Sequence, residues 1–229
     1  HSGYCNGGDA YVVQDRTSDA AIFQIGTDNS LTGIASGLTK GYRISFWQVG
    51  TKTYWMNGAQ TGMLYAGGSY AWPTNTHVGV ESSAEYYPAP LGTHICVWMG
   101  RMWVVAGNVV YGSEPYAYGK FRLSKVYFQF ASDVTMIKPT SGGLWVSDSD
   151  QIGFIQAADK FEAMTWVKKA SVPAHEWSEC IMLADLSRTV YQIPGLSALW
   201  SSDEGLCIGT ETGQFIVATD RKSTRLNSS

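Results

Sequence analysis

The chain has 229 residues, of which only 15% are charged and 13% are aromatic, and 25 of them are glycine. This composition excludes a disordered chain, and a net charge of −3 without a basic run in the body of the chain argues against binding to nucleic acid. No apolar stretch reaches the ~18 uncharged residues of a membrane-spanning helix. We therefore expect many short strands joined by tight turns, with neither nucleic acid nor membrane as a partner.

Short apolar runs bounded by Gly, Pro, Asn and Asp recur along the chain and predict β-strands. Between two of them lies Asn57-Gly58, a strong hairpin signal, because both residues tolerate a positive φ. No segment shows a sustained apolar period of 3.6 residues, so no amphipathic helix is expected. The predicted strands are residues 11–13, 20–25, 42–49, 53–56, 63–65, 93–98, 101–106, 109–111, 126–130, 134–137, 144–147, 152–155, 163–167, 180–183, 199–200, 206–209 and 214–217.

Three stretches between these runs lack an alternating apolar pattern. Residues 26–41 form a polar link, and residues 66–91, which hold three of the seven prolines, predict a long surface loop. Residues 112–119, with Pro115 and several aromatic residues, predict a second loop. Long loops on a β-scaffold often carry the contacts with partners.

One aromatic or apolar position recurs along the chain, in the first strand of each repeat unit defined by these runs. The positions are Tyr11, Tyr54, Trp103, Trp145 and Cys207, at spacings of 43, 49, 42 and 62 residues. Propeller blades of four antiparallel strands recur every ~40–45 residues. The sequence therefore predicts an all-β fold, an incomplete β-propeller built from four-stranded antiparallel blades, with a β-sandwich or a β-solenoid as the alternative.

We expect residues 1–219 to form a single propeller-like domain that is truncated at both ends. The chain begins with His1 in the middle of a pattern. Residues 220–229, Asp-Arg-Lys-Ser-Thr-Arg-Leu-Asn-Ser-Ser, are unlike the rest and resemble the translation of a widely used sequencing-adapter oligonucleotide. They predict a non-native tail on a fragment of metagenomic origin.

Four acidic residues near the Trp145 hairpin are candidates for a catalytic pair, namely Asp148, Asp150, Asp159 and Glu162. A glycosidase needs two carboxylates about 5–10 Å apart in a cleft. Asp148 and Asp150 already fit the polar turn of a hairpin, and the residues after them do not continue a calcium-binding loop. We therefore expect these residues to serve the turn.

Residues 201–208, Ser-Ser-Asp-Glu-Gly-Leu-Cys-Ile, partly match the Asp-box of sialidase-type propellers, Ser-x-Asp-x-Gly-x-Thr-Trp. We interpret the match as a β-turn in which Asp203 orders its own backbone and Gly205 supplies a positive φ.

The histidines His77, His94 and His175 are isolated in the sequence, without the spacing of metal ligands. The four cysteines are widely spaced and are interpreted as buried free thiols. There is no Gly-x-Ser-x-Gly, phosphate-binding loop or dinucleotide fingerprint. The sequence therefore predicts no catalytic residue, no metal and no cofactor, and we expect the protein not to be an enzyme.

Aromatic residues in the predicted loops are the candidates for contacts with a partner, because an aromatic ring offers a large apolar surface. Packing of these rings onto the sheets is the alternative role. The candidate contact residues are Trp72, His77, Tyr86, Tyr87, Tyr116 and Tyr118.

Residues 90–219 resemble a family of structural proteins from the tails of tailed bacteriophages, whose members are β-propeller-like and similar in style to tail hub or nozzle components. The most specific phrase is Asn-Val-Val-Tyr-x-Ser-Glu-Pro at residues 108–115, and the chain departs from the family at Ala174-His175, where Gly-Thr is usual. The matching phrases are residues 90–93, 100–104, 107–115, 143–148 and 205–210.

This resemblance implies a non-enzymatic structural component of the virion tail, made in the cytoplasm of the host bacterium. Its propeller would be a platform that binds neighbouring tail subunits, and the protein would form a symmetric oligomer in the assembled particle. The alternative function is that of a carbohydrate-active or carbohydrate-binding β-propeller.

Overall fold

The structure is a computed structural model, which describes residues 3–6, 9–74, 86–182 and 195–218. Within these residues the named elements are β-strands, apart from one short 3-10 turn at Phe161–Ala163. The chain divides into two compact units, residues 1–130 and 131–229. The single domain over residues 1–219 stays a prediction, and residues 220–229 lie outside the described part of the chain.

The first unit contains three antiparallel sheets whose strands are neighbours in chain order. Sheet 1 consists of β1 (Gly3–Asn6), β2 (Asp9–Asp15), β3 (Ala20–Ile25) and β4 (Leu31–Leu38). Sheet 2 consists of β5 (Ser45–Val49), β6 (Lys52–Met56), β7 (Thr61–Tyr65) and β8 (Gly68–Tyr70). Sheet 3 consists of β9 (His94–Trp98), β10 (Arg101–Ala106), β11 (Val109–Glu114) and β12 (Ala117–Phe121), with β13 (Tyr127–Gln129) paired to the first half of β11.

The second unit contains two further four-stranded antiparallel sheets in the same order. Sheet 4 consists of β14 (Val134–Pro139), β15 (Gly143–Asp148), β16 (Ile152–Gln156) and β17 (Trp166–Ala170). Sheet 5 consists of β18 (Cys180–Met182), β19 (Ser197–Ser202), β20 (Gly205–Gly209) and β21 (Phe215–Val217). This up-and-down order, repeated sheet after sheet, is the order of strands in a propeller blade.

The recurring position of the sequence pattern is the third residue of the second strand in each sheet. Tyr11, Tyr54, Trp103 and Trp145 all occupy it. In sheet 5 the third residue of β19 is Leu199, whereas Cys207 lies on β20, the third strand. Choosing Cys207 was therefore wrong, because the equivalent position in this sheet is not aromatic and gives no signal.

Sheet 2 is buried on both faces, because neighbouring residues of a strand point to opposite sides. Trp55 packs with Tyr11, Ile22 and Phe46 in a cluster shared with sheet 1. The preceding residue, Tyr54, belongs to a different cluster, shared with sheet 3. Burial on both faces requires apolar residues at consecutive positions of a strand, and β6 has them at its end, Tyr-Trp-Met.

The core of the second unit is built around two fully buried indoles. The rings of Trp145 in sheet 4 and Trp200 in sheet 5 are 5.4 Å apart, and Phe154 lies 5.0 Å from Trp145. Nε1 of Trp145 donates a hydrogen bond to the carbonyl of Thr210 at 3.0 Å, so the ring satisfies its one polar group inside the core. Large buried side chains of this kind contribute about 3–5 kcal/mol each.

Side chains close the turn between the second and third strands in three of the sheets. Asn57 Oδ1 accepts hydrogen bonds from the backbone amides two and three residues later, at 3.1 and 2.7 Å. Asp148 Oδ1 does the same at 2.9 Å each, which confirms that Asp148 serves its turn. In sheet 5 the acceptor is Ser202 Oγ, bound to the amide of Glu204 at 3.1 Å.

Four details of the predicted elements are corrected by the structure. The polar link contains β4, an outer strand with mostly exposed side chains, which the apolar pattern cannot reveal. The predicted loop at residues 112–119 is a tight turn between β11 and β12, and the strand predicted at 163–167 begins at Trp166. The long loop at 66–91 contains β8, while its residues 75–85 lie outside the described part of the chain. In the described residues, no helix is long and apolar enough to cross a membrane.

Candidate functional site

A hydrogen-bonded set of Ser201, His175 and Asp203 lies in the second unit. The backbone amide of His175 donates to the carbonyl of Ser201 at 2.8 Å, which fixes the histidine beside β19. Its Nε2 lies 2.9 Å from Asp203 Oδ1, and its Nδ1 lies 3.3 Å from Ser201 Oγ. The sequence gave no partner to His175 and assigned the ordering of the 202–205 turn to Asp203. Asp203 contacts His175 instead, and Ser202 Oγ accepts from the turn amide, while Gly205 has the predicted positive φ.

These three residues have the types and the order of contacts of an acyl-transfer triad. With the proton on Nε2, the imidazole donates to the Asp203 carboxylate and accepts from the Ser201 hydroxyl. The side chains of His175 and Asp203 are, however, 53% and 89% exposed. Water at this surface screens the charges and weakens both bonds, so their clearest effect is to tie the segment before β18 to the β19–β20 turn.

A groove of about 620 Å³ lies in the first unit, where β4 of sheet 1 meets the outer strands of sheet 2. Trp55, which is only 4% exposed, is part of its lining, and Tyr70, which is 52% exposed, forms part of its wall. The lining contains hydroxyl, amide, aromatic and aliphatic side chains but no charged one. Its residues are Ile34, Ala35, Ser36, Leu38, Trp55, Gln60, Thr61, Ser69, Tyr70 and Ala71.

Tyr86 is held by two cationic side chains of sheet 3 and the loop after it. Lys120 Nζ and Arg122 Cζ lie 4.8 and 4.9 Å from the centroid of its ring. Arg122 also donates a hydrogen bond to the Tyr86 hydroxyl at 2.5 Å and pairs with Glu114 at 3.0 Å. Cation–π contacts of this kind anchor Tyr86 to sheet 3.

Two of the six predicted contact residues, Trp72 and Tyr118, pack against Tyr54. Trp72 is 7% exposed, packs 4.9 Å from the ring of Tyr54 and donates its Nε1 proton to the carbonyl of Tyr118 at 2.8 Å. Tyr118 packs edge-on against Tyr54, and burial raises the pKa of both tyrosines. These placements give Trp72 and Tyr118 a packing role; Trp72 is buried and Tyr118 is half-buried, and their contact with a partner stays a prediction.

Tyr87 and Tyr116 are the two predicted contact residues that reach solvent, at 49% and 81% exposed. The backbone of Tyr87 pairs with Phe121 through two bonds of 2.9 Å, so the ring is presented from the edge of sheet 3. His77 lies outside the described residues.

Tyr116 shares its end of sheet 3 with a second exposed apolar residue, Met99, which is 42% exposed. Tyr116 has a φ of +57° and Met99 a φ of +50°, in the region that bulky side chains rarely adopt. The amide of Tyr116 donates to the carbonyl of Gly100 at 2.6 Å, so the β9–β10 and β11–β12 turns are joined. Sequence patterns did not single out Met99, because a positive φ at a non-glycine residue leaves no trace in composition.

In the described part of the chain, the acidic residues near the Trp145 hairpin either bind local groups or face solvent. Asp148 is 1% exposed and committed to its turn, and Asp150 accepts a hydrogen bond from Ser132 Oγ at 2.9 Å. Asp159 and Glu162 are exposed in the segment before β17. No group of three or more His, Cys, Asp and Glu in these residues is arranged to hold a metal ion.

The fold resembles solved β-propeller structures. A protein from Lactobacillus plantarum matches 91% of this chain and 66% of its own length, with a TM-score of 0.56 and 12% identity. A protein from Bacteroides uniformis, described as a "putative 6-phosphogluconolactonase", matches 95% of this chain and 68% of its own length, with a TM-score of 0.53 and 11% identity. This chain thus spans about two thirds of each neighbour, and it matches no family model and no curated protein.

These neighbours and the five antiparallel sheets confirm the predicted all-β, propeller-type fold made of four-stranded blades. They also overturn the expectation that the chain is not an enzyme. That expectation rested on the lack of a familiar catalytic motif, and the neighbour from Bacteroides uniformis shows the same fold in a protein described as a lactonase. One fold carries many functions, so a missing motif does not exclude catalysis.

Proposed function

We propose that this chain is a structural component of a bacteriophage tail, and that its propeller sheets form a platform whose turns bind neighbouring tail subunits. The support begins with the phage-like phrase at residues 108–115. That phrase forms β11 and the turns at both ends of it, including the turn that presents Tyr116. A contact role does not exclude catalysis on the same fold.

The observation that carries the proposal is the pair of exposed apolar turns at one end of sheet 3. Met99 and Tyr116 hold positive φ values, which cost a non-glycine residue roughly 1–3 kcal/mol. Glycine at either position would remove that cost and would also remove an apolar side chain from water. We interpret this combination of backbone strain and exposed apolar surface as evidence that the two residues contact a partner.

A substitution at Tyr116 and a control substitution at Leu31 distinguish a loss of partner contact from a loss of folding stability. Tyr116→Gly removes the ring and relieves the backbone, so we expect a melting temperature equal to or above that of the original chain. In a phage that lacks its own copy of the gene, complementation with Tyr116→Gly should lower the yield of infectious particles at least ~10-fold. Leu31→Ser is the control, because Leu31 is also exposed, at 55%, and lies on a different sheet.

The outcomes are distinguishable. If gradient-purified particles contain the polypeptide, and immunogold labelling places it on the tail, the proposal stands. Normal particle yields with Tyr116→Gly would remove this turn as the contact, and complete absence of the polypeptide from the particles would remove the tail role itself.

A further inference from the structure

We propose that the groove lined by β4, Trp55 and Tyr70 binds an uncharged saccharide. This site is separate from the exposed turns of sheet 3 on which the proposed tail role rests. Three observations support this ligand class: the uncharged lining, the unpaired N–H of the buried Trp55 indole, and the hydrogen bonds that occupy backbone groups beside β4.

The lining matches the two kinds of surface that a sugar ring presents. Aliphatic and aromatic side chains such as Ile34, Leu38 and Tyr70 suit the C–H face of the ring, and Ser36, Thr61 and Ser69 offer hydroxyls to its polar rim. The absence of any charged side chain from the lining leaves nothing to neutralise a carboxylate or a phosphate. An uncharged polyhydroxyl ligand therefore fits better than an anion.

Trp55 is the buried aromatic side chain in the lining of this groove. Its Nε1 is buried and has no hydrogen-bond partner among the described residues. The indole lies flat against Gly62, where a Cβ would come within 2.6 Å of the ring, so the ring has little freedom to turn elsewhere. Leaving a buried N–H unpaired costs folding free energy, and a ligand hydroxyl that accepts from it would recover that loss.

A peptide strand added to the edge of β4 is the other occupant that the groove suggests. The edge is already closed where it approaches sheet 2. Gly37 donates its amide to Asp19 Oδ2 at 2.6 Å, and its carbonyl accepts from Gln60 Nε2 at 3.2 Å. Gln60 Oε1 also accepts from the amide of Thr39 at 2.7 Å. These bonds occupy backbone groups of Gly37 and Thr39, so an added strand could not pair with this end of the edge.

The test is binding of a panel of neutral oligosaccharides to the full chain, followed by isothermal calorimetry and tryptophan fluorescence on any hit. We expect at least one neutral glycan to bind. Tyr70→Ala, at an exposed residue, should weaken that binding about tenfold, and Trp55→Phe, which keeps an aromatic ring but lacks the N–H, should weaken it by a similar factor. Tyr127→Ala, at another exposed tyrosine outside the groove, should leave it unchanged.

The proposal is overturned if no neutral glycan binds, if Tyr70→Ala and Trp55→Phe bind as well as the original chain, or if only acidic glycans or extended peptides bind. Circular dichroism verifies that each variant is folded, and Tyr70→Ala alone decides the matter if Trp55→Phe is not. Loss of this proposal would leave the incorporation of the chain into a virion untouched, so the two proposals fail separately.

Discussion

Burial of Glu179 raises the pKa of its carboxyl group, which makes the stability of the fold depend on pH. Its side chain is 4% exposed, and Lys138 Nζ lies 3.6 Å away. Burial raises its pKa above the ordinary value of 4.5, and the nearby lysine only partly opposes the rise. The folded state therefore binds this proton more tightly than the unfolded state does, so the stability from this group is full below about pH 4.5 and is lost as the pH rises through the raised pKa.

Glu179→Gln removes the titrating group and should flatten this part of the pH profile. Urea unfolding between pH 4 and 8 measures it, and the expected result is a smaller fall in the free energy of unfolding with rising pH than in the original chain. Profiles of equal slope in the two proteins would show that Glu179 does not titrate across this range.

Three cysteines differ in reactivity because they differ in burial. Cys96 and Cys207 are fully buried and Cys180 is exposed, and burial raises the pKa of the Cys207 thiol. Since the thiolate is the reactive form, we expect iodoacetamide to modify Cys180 in the native protein and to reach the other two only after unfolding. Peptide mass mapping reads out each site, and modification of Cys207 at the rate of Cys180 would contradict the packing of sheet 5.

Asp148 tests the role of turn side chains. Asp148→Ala removes the buried acceptor of two backbone amides in a partly exposed turn, and we expect a loss of about 1–3 kcal/mol in the free energy of unfolding. Asp148→Asn keeps an oxygen in the same place, as Asn57 does in sheet 2, and should lose less than about 1 kcal/mol. Equal losses in the two variants would mean that the charge matters rather than the acceptor.

Much of what sequence could predict at this scale was local. The turn role of Asp148 follows from its own neighbours in the chain. The contact of His175 with Asp203, 28 residues later, depends on which strands pair, and no spacing rule expresses it. The burial of Trp72 has the same cause, because its partner Tyr118 is 46 residues away on another sheet.

At the scale of the elements, glycines set how closely the sheets approach in the second unit. A Cβ on Gly209 would overlap the indole of Trp145, which is fully buried and cannot move aside. We expect Gly209→Ala to lower the free energy of unfolding by about 1–3 kcal/mol, through overpacking. Gly33→Ala is the matched control on a strand, since its Cβ would meet only the Phe23 ring at 3.7 Å.

Thermal unfolding of both glycine variants measures this difference. The control should melt within a few degrees of the original chain, because an alanine in ordinary contact costs a strand little. Equal melting temperatures for the two variants would show that the sheets in the second unit can separate enough to admit a methyl group.

Strands with consecutive apolar residues could be predicted, whereas β4 could not. β6, β10 and β15 have apolar residues at consecutive positions, which predicts buried strands. β4 has exposed side chains along most of its length, so its sequence looks like a loop. The groove could not be predicted from the sequence because β4, which forms one of its walls, was not predicted.

At the scale of the whole molecule, the repeat was predictable because every sheet needs the same strand, turn and strand. The third position of each second strand keeps its place in all five sheets, even where Leu199 replaces an aromatic residue. The function of these sheets could not be predicted from the sequence. Function depends on exposed turns and on a groove formed by residues from different strands, and the fold alone admits several functions.

The tail role is tested most directly by cryo-electron microscopy of the virion whose genome encodes this chain. We expect the tail density to contain consecutive antiparallel sheets of four and five strands that fit residues 3–6, 9–74 and 86–130, with the Met99 and Tyr116 turns against a neighbouring subunit. A map in which the tail is fully traced by other polypeptides, with this chain absent from the particle, would contradict the account.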